Sequence, residues 1–147
     1  MPRLRRSDLP DGVFHVAARG VAGTAVFRDD EDRRLFLGLL GRTVDRHDWT
    51  CHAFCLMGTH YHLVVQATRN DVSAGIQWLN GTYAQSFNRR HERWGHLFGA
   101  RFGSWVVERD EHFAATCRYV LENPVRAGLC ARPEDWPWSA MSVRAAA

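Results

Sequence analysis

A chain of 147 residues that is 46% hydrophobic has enough apolar mass for one core and too little length for several, so a single domain over 1–147 is expected. Its formal net charge is +3, carried by 19 basic residues that are all arginine; this mild excess suits a polyanionic partner without demanding one. The basic opening MPRLRRSDLP has no apolar stretch behind it and no run approaches membrane-spanning length, which argues against a leader or membrane anchor and for a cytoplasmic protein.

Gly12 to Gly20 (GVFHVAARG) reads as a short first strand. Asp29 and Asp30 are suited to cap a helix whose apolar positions Leu35, Phe36, Leu39, Leu40 and Val44 recur at three- and four-residue spacing. Trp49–Met57 and His60–Gln66 are two β-prone runs separated by Gly58-Thr59, the pattern of a hairpin. A second helix starts near Asp71, carries Val72, Ile76, Leu79, Tyr83 and Phe87 on one face, and ends in the basic stretch from Asn88 to Arg93. Phe102–Val107 reads as a fourth strand. Asp110 then caps a third helix that finishes close to Asn123, because Pro124 disfavours helical geometry in its predecessor. The order β-α-β-β-α-β is that of a ferredoxin-like (RRM-like) α+β fold, an antiparallel sheet with two helices on one face. The third helix belongs on or beside the other face. Trp136 and Trp138 are expected to pack the tail onto the domain, and Ala145–Ala147 to fray.

His60 and His62 alternate along a strand, so their imidazoles share a face roughly 6 to 7 Å apart at the backbone and can reach one cation. Tyr61 between them points the other way, into the core. Taken alone, the pair reads equally as two histidines on a half-exposed sheet. Cys51 and Cys55, about 13 Å apart along an extended strand, are too far apart to share a zinc ion, and the four cysteines read as reduced thiols. At 100° per residue, His112, Thr116, Tyr119 and Asn123 share one face of the third helix, opposite Phe113, Cys117, Val120 and Leu121.

The stretches GVFHVAARG, HAFCLMGTHYHLVV, YAQSFNRRHERWGHLFGARF, CRYVLENPVRAGL and RPEDWPWS, in that order, resemble the REP-associated tyrosine transposases. These are single-tyrosine, IS200-like transposases of the bacterial HUH endonuclease superfamily. The resemblance runs from about Gly12 to Ser139. It implies that His60 and His62 are the metal ligands, that Tyr119 in RYVLENPVRAG is the nucleophile, and that Asn123 takes the polar third-ligand position. The chain departs from the family at the turn, where Gly58-Thr59 stands for the usual Pro-Asn, and at Gly99-Ala100; neither change is expected to touch a reacting group. Tyr83 is the competing nucleophile, but its apolar stripe argues for burial.

A tyrosine hydroxyl ordinarily has a pKa near 10, so about one in a thousand is ionised at neutral pH. The implied mechanism supplies help through a divalent cation, Mg2+ or Mn2+, acting as a Lewis acid on the scissile phosphate. Attack by Tyr119 would give a 5′-phosphotyrosine and a free 3′-hydroxyl, which can reverse the step and rejoin the strand. The implied substrate is single-stranded DNA carrying a hairpin, acted on by a monomer or a homodimer. Arg89, Arg90, Arg93 and Arg101, interleaved with Trp94 and His96, combine phosphate partners with stacking surfaces; Arg118 and Arg126 flank Tyr119 and could steer the backbone. Two other classes stay open at this point: a hairpin-DNA-binding module without catalysis, and a metallohydrolase with a water nucleophile.

Overall fold

The computed structural model describes residues 12–99, 101–108 and 110–143. The basic opening, Ala100 and the Ala145–Ala147 tail lie outside them. Five strands, β1 (Gly12–Arg19), β2 (Thr50–Leu56), β3 (His60–Ala67), β4 (Gly103–Val107) and β5 (Ser139–Val143), form one sheet in the order β4-β1-β3-β2-β5. Every neighbouring pair is antiparallel. Helices α1 (Asp30–His47) and α2 (Arg69–Arg90) connect the strands as expected, and α3 (Asp110–Leu121) follows β4. The α+β, ferredoxin-like arrangement expected from the sequence is thus observed, with β5 added beside β2.

Two-residue periodicity decides which side chains each sheet face receives. On one face Phe14, Val16, Ala18, Tyr61, Leu63 and Val65 join Phe36, Leu40 and Val44 of α1 and Ile76, Leu79 and Tyr83 of α2 in the main core. On the other, Ala53, Cys55, Met57 and Val64 meet Cys117 and Val120 of α3, with Phe113 and Trp136 beside them. α1 starts where the Asp29 carboxylate accepts the Asp32 backbone N–H at 2.9 Å. It stops at Asp48, whose φ of 55° is left-handed.

Three local features depart from the sequence reading. The β2–β3 register shifts between Cys51 and Ala53, leaving His52 as the extra residue of a bulge. Cys51 and Cys55 therefore fall in different cores, a stronger separation than distance alone. Second, Asp110 is the first residue of α3, which ends at Leu121, and a short helix α4 (Asn123–Arg126) follows. Pro124 lies in the first turn of α4, where its missing N–H costs nothing. Asn123 is thus in a new helix. Third, the tail does more than pack: after a 3₁₀ turn at Pro133–Asp135 it becomes β5 and pairs Ala140 with Phe54 and Ser139 with Cys55. Both tryptophans anchor it, since the Trp136 indole N–H donates to the Leu56 carbonyl at 3.0 Å and the Trp138 carbonyl accepts the Leu56 N–H at 2.9 Å.

The seam between α2 and the start of β2 is filled to the limit. A Cβ at Gly75 would lie 2.3 Å from the ring of Trp49, which is only 5% exposed. Overpacking there costs about 1–3 kcal/mol, against a helix-propensity gain of about 1 kcal/mol. Gly75→Ala is therefore expected to lower the urea unfolding midpoint, although alanine is the better helix former.

Candidate active site

The site is built on the sheet face that α3 only partly covers. The β1–β3 register sets Ala17 opposite His62 and Arg19 opposite His60, so His15, Ala17 and Arg19 share that face with both histidines. Trp105 pairs with His15 from β4 on the other side. A cleft of about 730 Å³ opens here, lined by His15, Arg19, His60 and His62 from the sheet, Arg101, Gly103 and Trp105 at and beyond its edge, and His112, Thr116 and Tyr119 from α3. Three of the four residues assigned to one face of the third helix reach the cleft. The fourth, Asn123, is not among its lining residues, and its buried Nδ2 has no hydrogen-bond partner among the described residues.

Tyr119 stands over the histidines with half its surface exposed. Its ring centroid is 6.2 Å from that of His62 and 6.0 Å from that of His15, edge-on to both. The two outer histidines of the pair are themselves 5.2 Å apart, ring to ring. One chain therefore contributes both the imidazoles and the phenol. Arg126 holds the tyrosine from behind: its guanidinium lies 4.1 Å from the ring centroid and donates to the Tyr119 carbonyl at 2.7 Å. Tyr83, by contrast, is fully buried and its hydroxyl donates to the Val26 carbonyl. Burial pushes its pKa up strongly. Tyr61 is likewise buried, donating to Asn80 at 2.7 Å.

The imidazoles are kept neutral. Burial, then the neighbouring His15 and His60, with Arg126 and Arg19 behind them, lowers His62 from 6.5 to about 3. His60 is lowered by burial and by Arg19. His15 is lowered by burial and by His112. Neutral rings keep the lone pairs that a cation needs. An unfolded chain takes up the His62 proton near 6.5, whereas the folded one resists it until about 3. Stability is therefore full above 6.5 and falls as the pH drops through that window. Thermal melts in progressively more acidic buffers are expected to show the decline, and replacing His62 by an untitratable residue should flatten it.

His15, Arg19 and Trp105 line the cleft and were missed by the sequence reading, His15 the most telling of them. The available signal was alternation: His15 interrupts the face opposite Phe14, Val16 and Ala18. The turn also reaches the site: Thr59 Oγ1 lies 3.1 Å from His60 Nδ1, so the departure at Gly58-Thr59 touches an expected metal ligand, though not the tyrosine.

The IS200-like transposase family model matches residues 12–123. The chain belongs to this family. It is 25% identical over 109 residues to a Haemophilus influenzae protein provisionally named a REP-associated tyrosine transposase, a match covering 67% of this chain and 62% of that protein. The chain thus spans less than two thirds of the length of that curated relative. Among solved structures, a REP-associated tyrosine transposase bound to a REP hairpin superimposes with a TM-score of 0.73 at 15% identity, covering 95% of this chain and 82% of the other. A transposase, provisionally so described, from Deinococcus radiodurans gives a TM-score of 0.55 at 17% identity, covering 84% and 97%. At these identities the structural matches establish the fold.

Against this IS200-like frame, the arginines sort into braced and open. Arg90 is committed within the protein, donating to Asp29, Glu31 and Asp32 at 2.7–2.8 Å, which holds the Asp29 carboxyl well below its usual range. Asp32, fully buried, also accepts from the Arg28 backbone N–H at 2.9 Å and the His91 ring at 2.8 Å. Asp29, Asp32 and His91 thus bring ligand-type atoms within 4.8 Å of one another, a donor set compatible with a divalent cation, although the Arg90 guanidinium already engages both carboxylates. Asp32→Ala is expected to cost about 3 kcal/mol, since it strands these donors; a chemical-denaturation curve measures it.

Arg93 braces the following loop, donating to the His96 carbonyl at 2.8 Å and to Asn88 at 3.1 Å. Trp94 projects from that loop 92% exposed. Arg89, His96, Arg101, Arg118 and Arg126 are exposed. A second groove of about 850 Å³ runs between α2 and this loop, with Gln77, Asn80, Gln85 and Asn88 on one wall and His96, Phe98, Arg101 and Phe102 on the other. Arg101 lines both clefts.

Proposed function

We propose that this transposase-family chain cuts and rejoins single-stranded DNA with Tyr119 as nucleophile. The observation that carries the reading is the half-exposed phenol standing 6.2 Å from the His62 ring, in a cleft supplied by one chain. Tyr119 Oη attacks the phosphorus, the bond from phosphorus to the 3′-oxygen breaks, and the phenol proton is transferred, in net, to the departing 3′-hydroxyl. One phosphodiester replaces another, so a free 3′-hydroxyl can drive the reverse step. Arg126, seated on the ring face and bonded to the Tyr119 carbonyl, fixes the direction in which the phenol points.

Neutral His60 and His62, which line the same cleft, fit a divalent cation, whereas Asn123 lies outside that lining and its orphaned atom is an N–H donor rather than a ligand oxygen; imidazole donors favour Mn2+ over Mg2+ in affinity. When bound, such an ion supplies Lewis-acid polarisation of the phosphate oxygens. The remaining work falls to the chain: Arg19 and Arg101 pair with the flanking phosphates, and Trp105 with its exposed face bounds the cleft. Arg101 continues the path into the second groove, where Trp94, Phe98 and the α2 amides suit unpaired bases. Arg89, Arg93, His96 and Arg118 extend the contact surface, whereas Arg90 is taken up by the carboxylates of Asp29, Glu31 and Asp32. The bound REP hairpin of the solved relative supports hairpin-bearing DNA as substrate. A site completed within one chain lets a monomer act.

The decisive experiment incubates end-labelled, hairpin-bearing single strands with Mn2+ and resolves the products on a denaturing protein gel. Wild type is expected to give a covalent protein–DNA adduct, and Tyr119→Phe to reduce it to background. Hairpin binding by Tyr119→Phe should persist. An adduct that survives Tyr119→Phe would move the nucleophile elsewhere, and cleavage without an adduct would make water the nucleophile.

A further inference from the structure

Each neutral imidazole has one N–H and one lone pair, so a histidine that binds a cation through one nitrogen must keep its proton on the other. In both proposed ligands the same atom is already engaged. His62 Nδ1 lies 2.9 Å from Nε2 of His15, and His60 Nδ1 lies 3.1 Å from Oγ1 of Thr59. The partners come from different elements, β1 and the β2–β3 turn, and among the described residues neither ring's Nε2 has a hydrogen-bond partner. Their rings stand nearly perpendicular, at 88°, so the two Nε2 atoms approach the cleft from different directions. The His15 ring lies edge to edge with His62 and nearly in its plane, centroids 5.1 Å apart and 27° between planes, as an Nδ1–H···Nε2 bond requires, with Trp105 at 5.2 Å and Tyr119 at 6.0 Å beside it.

We propose that His15 is a positioning residue whose Nε2 accepts the Nδ1–H of His62, with Thr59 doing the same for His60, so that both rings present an Nε2 lone pair to the cation. This rests on the metal reading given above. His15 then carries its own proton on Nδ1. Outer partners of this kind fix both the tautomer and the rotation of a ligating ring, and their loss typically weakens metal binding by about 10- to 100-fold. The arrangement makes the cleft ready for the ion before DNA arrives.

The test uses the metal-free full chain labelled with 15N at histidine. Two-bond 1H–15N correlation spectra distinguish an Nδ1–H ring from an Nε2–H ring. Wild type is expected to show His60 and His62 in the Nδ1–H form. His15→Phe keeps a flat ring but removes the acceptor, and is expected to shift His62 towards Nε2–H and weaken Mn2+ binding in calorimetry by about 10-fold or more. His15→Gln, which restores an acceptor, should recover part of both. Thr59→Val should act on His60 and leave the His62 tautomer unchanged. A wild-type spectrum with His62 as Nε2–H overturns the proposal without any variant, as does unchanged Mn2+ affinity in a folded His15→Phe. If wild type binds no Mn2+, the metal reading fails instead, whatever the tautomers.

Discussion

The pairing of β1 with β3 is the constraint on which the rest of the molecule depends. Its register sets Val16 opposite Leu63 and Ala17 opposite His62, and the pleat sends the first pair into the main core and the second to the cleft. A slip of β3 by one residue would bury the imidazoles of His60 and His62 under α1 and α2 and turn Tyr61 and Leu63 to solvent. The apolar stripes of α1 and α2 exclude that alternative, because they accept only the face that carries Phe14, Val16, Tyr61 and Leu63. Core formation and site formation are thus one event. The energy that seats the aliphatic side chains also aligns the histidines.

Much of this was readable before any coordinates. The two long helices, the hairpin, the burial of Tyr83 and the shared face of His112, Thr116 and Tyr119 all follow from local periodicity, which spans only a few turns. What escaped depends on contacts between distant residues. Nothing local shows that Arg90 will meet three carboxylates from the first turn of α1, about sixty positions earlier. From sequence it is one more cation at a helix end. β5 escaped because Ser139–Val143 is a strand chiefly through its pairing with β2. The bulge at His52 was invisible because an extra residue leaves alternation intact on either side of it.

The site shows the same division. Alternation placed His60 and His62 on one face, and helical spacing put Tyr119 towards the cleft. His15 needed the register of a second strand, and Thr59 needed the rotation of its own hydroxyl towards the next ring. Asn123 illustrates the limit of helical arithmetic: one turn after Tyr119 on paper, it opens α4 in space, because the chain uses Pro124 to begin a helix as well as to end one.

The break at Glu122 has a mechanical side. Arg126 folds back across seven positions to grip both the ring and the carbonyl of Tyr119, while Cys117 and Val120 on the same helix are sunk into the sheet. The phenol is therefore not a free lever on a lone helix. Carrying it away from the imidazoles means lifting a whole arm, with α4 and its guanidinium travelling along and a wet gap opening over Ala53, Cys55 and Val64.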